Sequence, residues 1–293
     1  MNKILIASTN LHLIDSIILN NQFNTNFHLV YIGKENILFN HIKYNFSSFL
    51  YLEENKSSKK IELRITNAKK LIDFIKNLNP NEIIVGNDRK IETSILIKNY
   101  NTIYSYMDDG LHSYILEKQH IFKYTFFEKY LKKIIYKNDL VLPKYIGCAK
   151  YIKNVYLFKP QFANKCLKNK NLIPLDISLL NINLDLSIPT FKKLILLPHP
   201  KFINSQILEK IKPFIDENTA IKSHPRDNNN YFDIITINKE IPLEALLLKI
   251  DKNTKIYGYK TTAILIAKWL GFDVYNFGKN TFMQKNGIKA IDC

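Results

Sequence analysis

The chain has 293 residues, is 46% hydrophobic and carries a formal net charge of +16. That is ample material for one large domain or two ordinary ones, and it excludes a disordered chain. A field of this sign favours acidic partners such as nucleic acid, anionic lipid, nucleotide or polyanionic glycan. The lysines are dispersed, however, and no zinc finger, RNP-like aromatic run or helix-turn-helix accompanies them, which argues against a nucleic-acid binder. Lysine, asparagine and isoleucine are abundant throughout, so part of the excess is compositional bias. The opening MNKILIASTN is too short an apolar run for a signal peptide, and no stretch reaches the roughly 20 apolar residues of a membrane span. Cys148, Cys166 and Cys293 show no CxxC spacing and no disulfide framework. A reducing cytoplasm is therefore expected, with peripheral contact to an anionic inner membrane face as the membrane association that the charge allows.

In chain order, Lys3 to Ala7 reads as a buried strand, Leu11 to Leu19 as a helix, and Phe27 to Ile32 as a second strand closed by Gly33. Leu71, Ile72, Phe74, Ile75 and Leu78 form a helical stripe between Asn67 and Leu78. Glu82 to Val85 is a strand ended by Gly86, Ile91 to Ile97 a helix, Thr102 to Met107 a strand, and Phe126 to Tyr136 a basic helix. Between Leu140 and Phe191 the pattern loosens under Pro143, Pro160, Pro174 and Pro189, leaving short strand candidates such as Val155 to Phe158. Alternation resumes with a strand at Leu194 to Leu197, a helix at Ile203 to Ile215 and a strand at Ala220 to Lys222. Asp233 to Ile237 (strand), Pro242 to Ile250 (helix), Lys255 to Tyr259 (strand), Thr261 to Leu270 (helix) and Val274 to Phe277 (strand) complete it. Short apolar strands alternating with helices predict parallel sheets covered on both faces. The expected organisation is α/β with two Rossmann-like domains, 1–155 and 156–293, whose strand ends share a cleft.

Absent motifs narrow the chemistry. There is no GxGxxG, no GxxxxGK[ST], no GxSxG and no HExxH, which argues against dinucleotide oxidoreductases, P-loop NTPases and zincins. With eight glycines in all, a phosphate must be gripped by helix ends and side chains. Asp108-Asp109-Gly110 follows a strand; apolar neighbours raise a carboxylate towards a useful general base, although Asp-Gly is also a common solvated turn and an acidic pair also suits a metal. Asn87, Asp88 and Arg89 follow another strand, where Asn87 or Asp88 suits an N-cap or one side of a cleft. Lys222-Ser223-His224-Pro225 leaves a third strand; by itself it reads as a surface turn, but it would offer an anion an imidazole and free backbone N–H groups. Thr261 and Thr262 open a helix, where hydroxyls either cap it or hold a phosphate. Glu244, one turn into its helix, suits the helix dipole or a ribose diol. A second pair, His199-Pro200, lacks the Lys-x-His-Pro arrangement and reads as coincidence. His112 reads as a surface residue.

In order along the chain, Asp108-Asp109-Gly110, His224-Pro225 and Thr261-Thr262 resemble the acidic-acidic-glycine, His-Pro and Ser/Thr-pair motifs of bacterial sialyltransferases. The group in question includes lipooligosaccharide sialyltransferases and capsular polysialyltransferases. The resemblance spans most of the chain, although each motif is short, the hydroxyl pair is Thr-Thr where serine is frequent, and the chain is compact for the group. It implies a GT-B architecture with the active site between two Rossmann-like domains, and metal-independent, inverting transfer of sialic acid from CMP-sialic acid to a glycan hydroxyl. It also implies Asp109 as general base, with Asp108 positioning the loop and Gly110 on the acceptor side with Asn87, Asp88 and Arg89. His224 with Pro225 would support the departing phosphate, Thr261 and Thr262 would hold it, and Glu244 would take the ribose. No cofactor is implied beyond the donor substrate, and His224 is expected to face Asp109 across the cleft. Two alternatives stand beside this reading: a GT-B enzyme using another nucleotide sugar, and a non-enzymatic polyanion-binding protein.

Overall fold

The computed structural model describes residues 1–54, 60–115, 124–259 and 261–291. It divides into two compact units, Met1–Asn181 and Ile182–Cys293. The first holds a seven-stranded sheet in the order β3-β2-β1-β4-β5-β6-β7. Its strands are β1 (Asn2–Ala7), β2 (Asn26–Gly33), β3 (Ser48–Glu53), β4 (Glu82–Val85), β5 (Ile103–Met107), β6 (Ile152–Leu157) and β7 (Asn171–Pro174). The helices of this unit are α1 (Asn10–Gln22), α2 (Ile37–Ile42), α3 (Lys60–Leu78), α4 (Ile91–Asn99), α5 (Leu111–Tyr114) and α6 (Phe126–Tyr136). The second unit carries six strands in the order β10-β9-β8-β11-β12-β13. These are β8 (Lys193–Leu196), β9 (Thr219–Lys222), β10 (Ile235–Thr236), β11 (Lys255–Gly258), β12 (Asp273–Phe277) and β13 (Lys289–Ile291), with α7 (Ser205–Ile211), α8 (Leu243–Lys249), α9 (Thr262–Trp269) and α10 (Thr281–Lys285).

Every strand pair is parallel, as strands apolar on both faces require. Ile4 to Ala7, Ile83 to Val85 and Leu194 to Leu196 are buried in the two sheets. In each unit the first strand sits beside the fourth. The chain leaves the first strand towards one edge, returns, and continues from the fourth towards the other. Such a reversal opens a crevice at the strand C-termini, where doubly wound sheets bind ligands.

The opposite end of the first sheet is closed by a polar cluster. Glu82, buried at the start of β4, receives Lys3 from β1 at 2.7 Å, Asn154 Nδ2 from β6 at 3.0 Å, the Tyr156 hydroxyl at 3.2 Å and the Ser105 hydroxyl from β5. Burial alone would raise its carboxyl, but the bonds from Lys3, Ser105 and Asn154 outweigh that and hold it below its usual value. The cluster joins four strands where no apolar side chain could satisfy the carboxylate.

Several expectations are corrected. The boundary at 155/156 falls inside β6, because β6 and β7 join the first sheet and the first unit runs to Asn181. The proline-punctuated region that looks like a crossing segment thus supplies an inner strand, β6, and the edge strand β7 of the first sheet. The helix expected at Ile203 to Ile215 ends at Ile211, and Pro213 lies in a 3-10 turn over Lys212–Phe214, since proline cannot supply the next helical N–H. Only Ile235 and Thr236 of the expected Asp233 to Ile237 strand pair with β9. Cys148 and Cys166, expected free, form a disulfide with Cα atoms 5.5 Å apart. Each precedes one of two adjacent parallel strands, a proximity that spacing alone does not reveal. Among the described residues no helix is long and apolar enough to cross a membrane.

Removing the cation from the Glu82 cluster should be costly. Lys3→Ala is expected to lower stability at neutral pH by about 1.5–3 kcal/mol, the range for hydrogen bonds to charged groups. A depressed carboxylate stabilises the fold above its unfolded pKa of about 4.3, and that contribution is lost as pH falls through the folded value. Denaturant melts of the two proteins should therefore converge in acid.

Candidate active site

At the C-terminal edge of the first sheet, β5 runs into Asp108-Asp109-Gly110. Gly110 takes φ 64°, a left-handed backbone open to glycine at no steric cost, and begins α5. This is not a solvated turn. Asp108 is fully buried and accepts from the Gly110 N–H at 2.9 Å, the Phe158 N–H at 3.3 Å and the Tyr114 hydroxyl. Burial pushes its carboxyl up to about 7, against the pull of those donors. Asp108 therefore ties the turn to α5 and to the end of β6. The Asp109 N–H donates to Ser113 Oγ at 3.0 Å, and the Asp109 side chain is turned to the edge, 12% exposed.

Behind Asp109 lies a residue that sequence reasoning missed. His12, in the first turn of α1, is wholly buried, and its Nε2 lies 3.0 Å from Asp109 Oδ1, off the ring N–H axis. Its Nδ1 accepts the Ser8 backbone N–H at 3.2 Å, which assigns the ring proton to Nε2, the nitrogen facing the carboxylate. Thr9 caps α1 by accepting from the His12 N–H at 3.3 Å, and so fixes where the helix starts. The ring rests against Gly86 at the end of β4, where a Cβ would come within 2.3 Å of His12 Nδ1. Glycine at 86 is thus a space requirement of His12. One turn further along α1, Asp15 is fully buried with no hydrogen-bond partner for either carboxylate oxygen among the described residues. Burial first, then the charges of Asp108 and Asp109, push it well above the usual carboxylate range.

Asn87, Asp88 and Arg89 continue the same edge, and none of them caps α4. Its N-cap position is Lys90, which makes no side-chain cap. Asn87 Oδ1 instead accepts the Arg89 N–H at 3.0 Å in a local turn. Asp88 is buried, accepts from the Gly147 N–H at 3.1 Å and the Tyr151 hydroxyl at 3.0 Å, and is pushed up to about 6 by burial. It anchors the segment before β6. Arg89 is half-buried, and burial lowers its pKa. His112 is likewise half-buried on α5, and its carbonyl accepts from Asn164 Nδ2 at 2.9 Å.

In the second unit the two His-Pro pairs are brought together. β8 and β9 are adjacent parallel strands, so His199 and His224 leave neighbouring C-termini with ring centroids 4.8 Å apart. Each ring closes the same turn: Nδ1 accepts the backbone N–H two residues on, from Lys201 at 3.3 Å and from Arg226 at 3.2 Å. Both imidazoles therefore present Nε2–H as a donor. Burial, then His199, then Arg226 hold His224 below the usual histidine value. His199, set aside from the sequence as coincidence, is the second functional candidate that the structure adds; its signal was the repeated His-Pro at two strand exits.

Lys222 is buried at the end of β9, donates to the Asn238 carbonyl at 3.1 Å and is lowered to about 8 by burial, against the opposing charges of Glu244 and Glu240. Glu244 stands in the first turn of α8. Thr261 follows β11, on the other side of β8, and caps α9 by accepting from the Ala263 N–H at 3.3 Å, while Thr262 is the first helical residue. Pro225 lies within the His224 turn. The histidines and the start of α9 thus flank the reversal point of the second sheet.

No family profile matches the sequence, and no curated protein matches it either. Solved structures do resemble it. UDP-GlcNAc 2-epimerase from Methanocaldococcus jannaschii, in complex with UDP-GlcNAc and UDP, aligns over 99% of this chain and 89% of its own with TM-score 0.59 and 12% identity. The UDP-GlcNAc 2-epimerase of Neisseria meningitidis, bound to UDP-GlcNAc, aligns over 99% and 87% with TM-score 0.55 and 13% identity. Arabidopsis thaliana UGT89C1, complexed with UDP-L-rhamnose, aligns over 100% and 85% with TM-score 0.55 and 9% identity. At these identities the likeness is one of fold: two Rossmann-like domains in the GT-B arrangement of strands and helices.

Two substitutions test the first-unit geometry. Gly86→Ala must displace the His12 ring and should cost about 1–3 kcal/mol, as overpacking does. Asp15→Asn keeps the shape and removes an ionisable group. A carboxyl raised in the folded state loses stability as pH rises from its unfolded value of about 3.9 through its folded one. The melting temperature of Asp15→Asn should therefore gain on wild type as pH is raised from about 5 to about 8.

Proposed function

We propose that the protein is an inverting glycosyltransferase that moves a sugar from a nucleotide donor to a glycan hydroxyl. The observation that carries this reading is Asp109, a carboxylate at the reversal edge of a GT-B sheet, backed by the Nε2–H of His12. Its neighbours Asp15 and Asp108 are held towards their protonated forms. Of the three, Asp109 is the one whose side chain reaches the exposed edge of the sheet.

In this mechanism Asp109 takes the acceptor hydroxyl's proton as the oxygen attacks the anomeric carbon. The bond from that carbon to the donor phosphate breaks, and the electron pair leaves with the nucleotide. His12 orients the Asp109 carboxylate and does not itself meet the sugar. The departing phosphate is received by His224 Nε2–H, by His199 Nε2–H beside it and by the start of α9 with Thr261 and Thr262, a set of preformed donors aimed at developing charge. Glu244 takes the ribose. Asn87, Arg89 and Gly110 border the acceptor, and Asp88 and Asp108 hold that border in place. Protein donors do the work that a divalent ion performs in other transferases.

The donor we assign is CMP-sialic acid, on the ordered motifs Asp108-Asp109-Gly110, His224-Pro225 and Thr261-Thr262. A UDP-sugar donor is a second reading, and the neighbours solved with UDP-GlcNAc and UDP-L-rhamnose favour it.

Thermal shifts with CMP, UDP and GDP separate the donors: stabilisation by CMP alone supports sialyl transfer, and stabilisation by UDP alone replaces it with the second reading. Nucleotide release from the matching donor, measured in chelator with a panel of galactoside and sialylated acceptors, should persist. Asp109→Ala and His224→Ala should each lower it by at least about 100-fold, the lower bound for general acid–base catalysis, with melting temperatures near wild type. Absence of both nucleotide stabilisation and donor turnover would remove the enzymatic reading altogether.

A further inference from the structure

The helix α6, Phe126–Tyr136, turns its apolar side the wrong way for a soluble fold. At about 100° per residue, Phe126, Phe127, Tyr130, Leu131, Ile134 and Ile135 share one continuous arc of about 180°. A surface helix ordinarily buries such a stripe. Here all six side chains are exposed, Phe126 at 87% and Phe127 at 66%. The contact with the rest of the first unit is made from the other side, by Tyr136, which packs with Leu140 against Ala68, Ile91 and Ile95. Tyr136 lies about 190° around the helix from the centre of the apolar arc. The helix is nonetheless built to persist: Thr125 and Glu128 form a reciprocal capping box at its start, and Lys137 closes it in the left-handed conformation.

The polar side bears Lys129, Lys132 and Lys133, with Lys137 following; the acids beside them are Glu128 on the helix and Asp139 just past it, which pairs with Lys133 at 2.8 Å and leaves the other lysines in excess. Exposed aromatic and aliphatic side chains on one half of a helix and lysines on the other is the pattern of a helix lying in a membrane interface. Dispersed charge elsewhere needs no partner, but here cations border an apolar face. A second copy of this chain docked on the same face would bring these lysines against their equivalents. An anionic bilayer instead supplies the opposite charge at the level of the lysines and hydrocarbon below it.

We propose that α6 docks the protein on an anionic lipid surface, with Phe126, Phe127, Tyr130, Leu131, Ile134 and Ile135 inserted and the lysines at the headgroups. The attachment stands apart from the catalytic reading, because no residue of α6 belongs to the candidate active site.

The test is flotation of the whole protein with vesicles of phosphatidylcholine alone or mixed with phosphatidylglycerol. Binding to the mixed vesicles, weakened by salt and at least tenfold weaker to phosphatidylcholine alone, is expected. Phe127→Ser/Ile134→Ser, whose side chains make little packing contact, should lose at least tenfold in vesicle affinity while keeping the wild-type melting temperature and nucleotide-induced stabilisation. Lys129→Glu/Lys132→Glu should lose the preference for the anionic lipid. Absence of wild-type flotation, or flotation unchanged by the serine pair, would overturn the proposal. So would a dimer in light scattering that the serine pair converts to monomer, since the face would then belong to a second copy.

Discussion

The first unit turns on a shortage of space. Between the ends of β1 and β4 there is room for an imidazole only because residue 86 has no side chain, and His12 fills that room. Once seated, the ring has one nitrogen committed to the Ser8 N–H and the other facing Asp109. The placement of the ring that Asp109 faces therefore depends on a glycine at the end of the neighbouring strand, β4. A close-packed interior transmits such a constraint with little slack.

The same seat decides the local electrostatics. Three carboxyls, Asp15, Asp108 and Asp109, stand close enough to influence one another. Neighbouring carboxylates resist ionising together. Asp108 is surrounded by donors yet fully enclosed, Asp15 is enclosed without donors, and only Asp109 has both solvent at its edge and a ring N–H behind it. Enclosure and partners, more than residue type, divide three identical side chains into different roles. The Glu82 cluster at the other end of the sheet shows the contrast: there Lys3, Ser105 and Asn154 bond one buried carboxylate and draw it down instead.

How much of this was legible follows from which interactions are local. β1, β2, β4, β5, β8, β9 and β11 could be read because each is a continuous apolar run bounded by a turn, and the C-termini of β5, β9 and β11 carried the Asp109, His224 and Thr261 motifs. β6 was read only in part, as Val155 to Phe158, and β7 was not read, because short strands in a proline-marked region acquire their identity by pairing with residues far away in sequence. His12 sits inside the apolar run Leu11 to Leu19 and was not singled out: a histidine buried in a helix has no local signature, and its setting is a glycine at position 86 and a carboxylate at position 109. His199 was set aside for want of a flanking lysine, yet the shared feature was the turn itself, in which each Nδ1 accepts the N–H two residues on. Repetition of His-Pro at two strand exits was the available signal, and parallel pairing of β8 with β9 is what gives it meaning.

The two units share their strand order through six positions and then use it differently. In each, the first and fourth strands flank the reversal, and in each a histidine follows the first: His12 after β1 and His199 after β8. In the first unit the fourth strand ends in Gly86, which leaves the ring its space, the fifth carries Asp109, and the histidine is sealed beneath that carboxylate. In the second they come from the second and fourth, which carry His224 and Thr261, and the histidine stands half-exposed beside another. A buried imidazole under a carboxylate orients an acceptor of protons; paired imidazoles beside a helix start present donors. Under the proposed mechanism one topology serves as a proton-accepting edge and as an anion-receiving edge, according to which neighbour of the reversal point contributes the side chains.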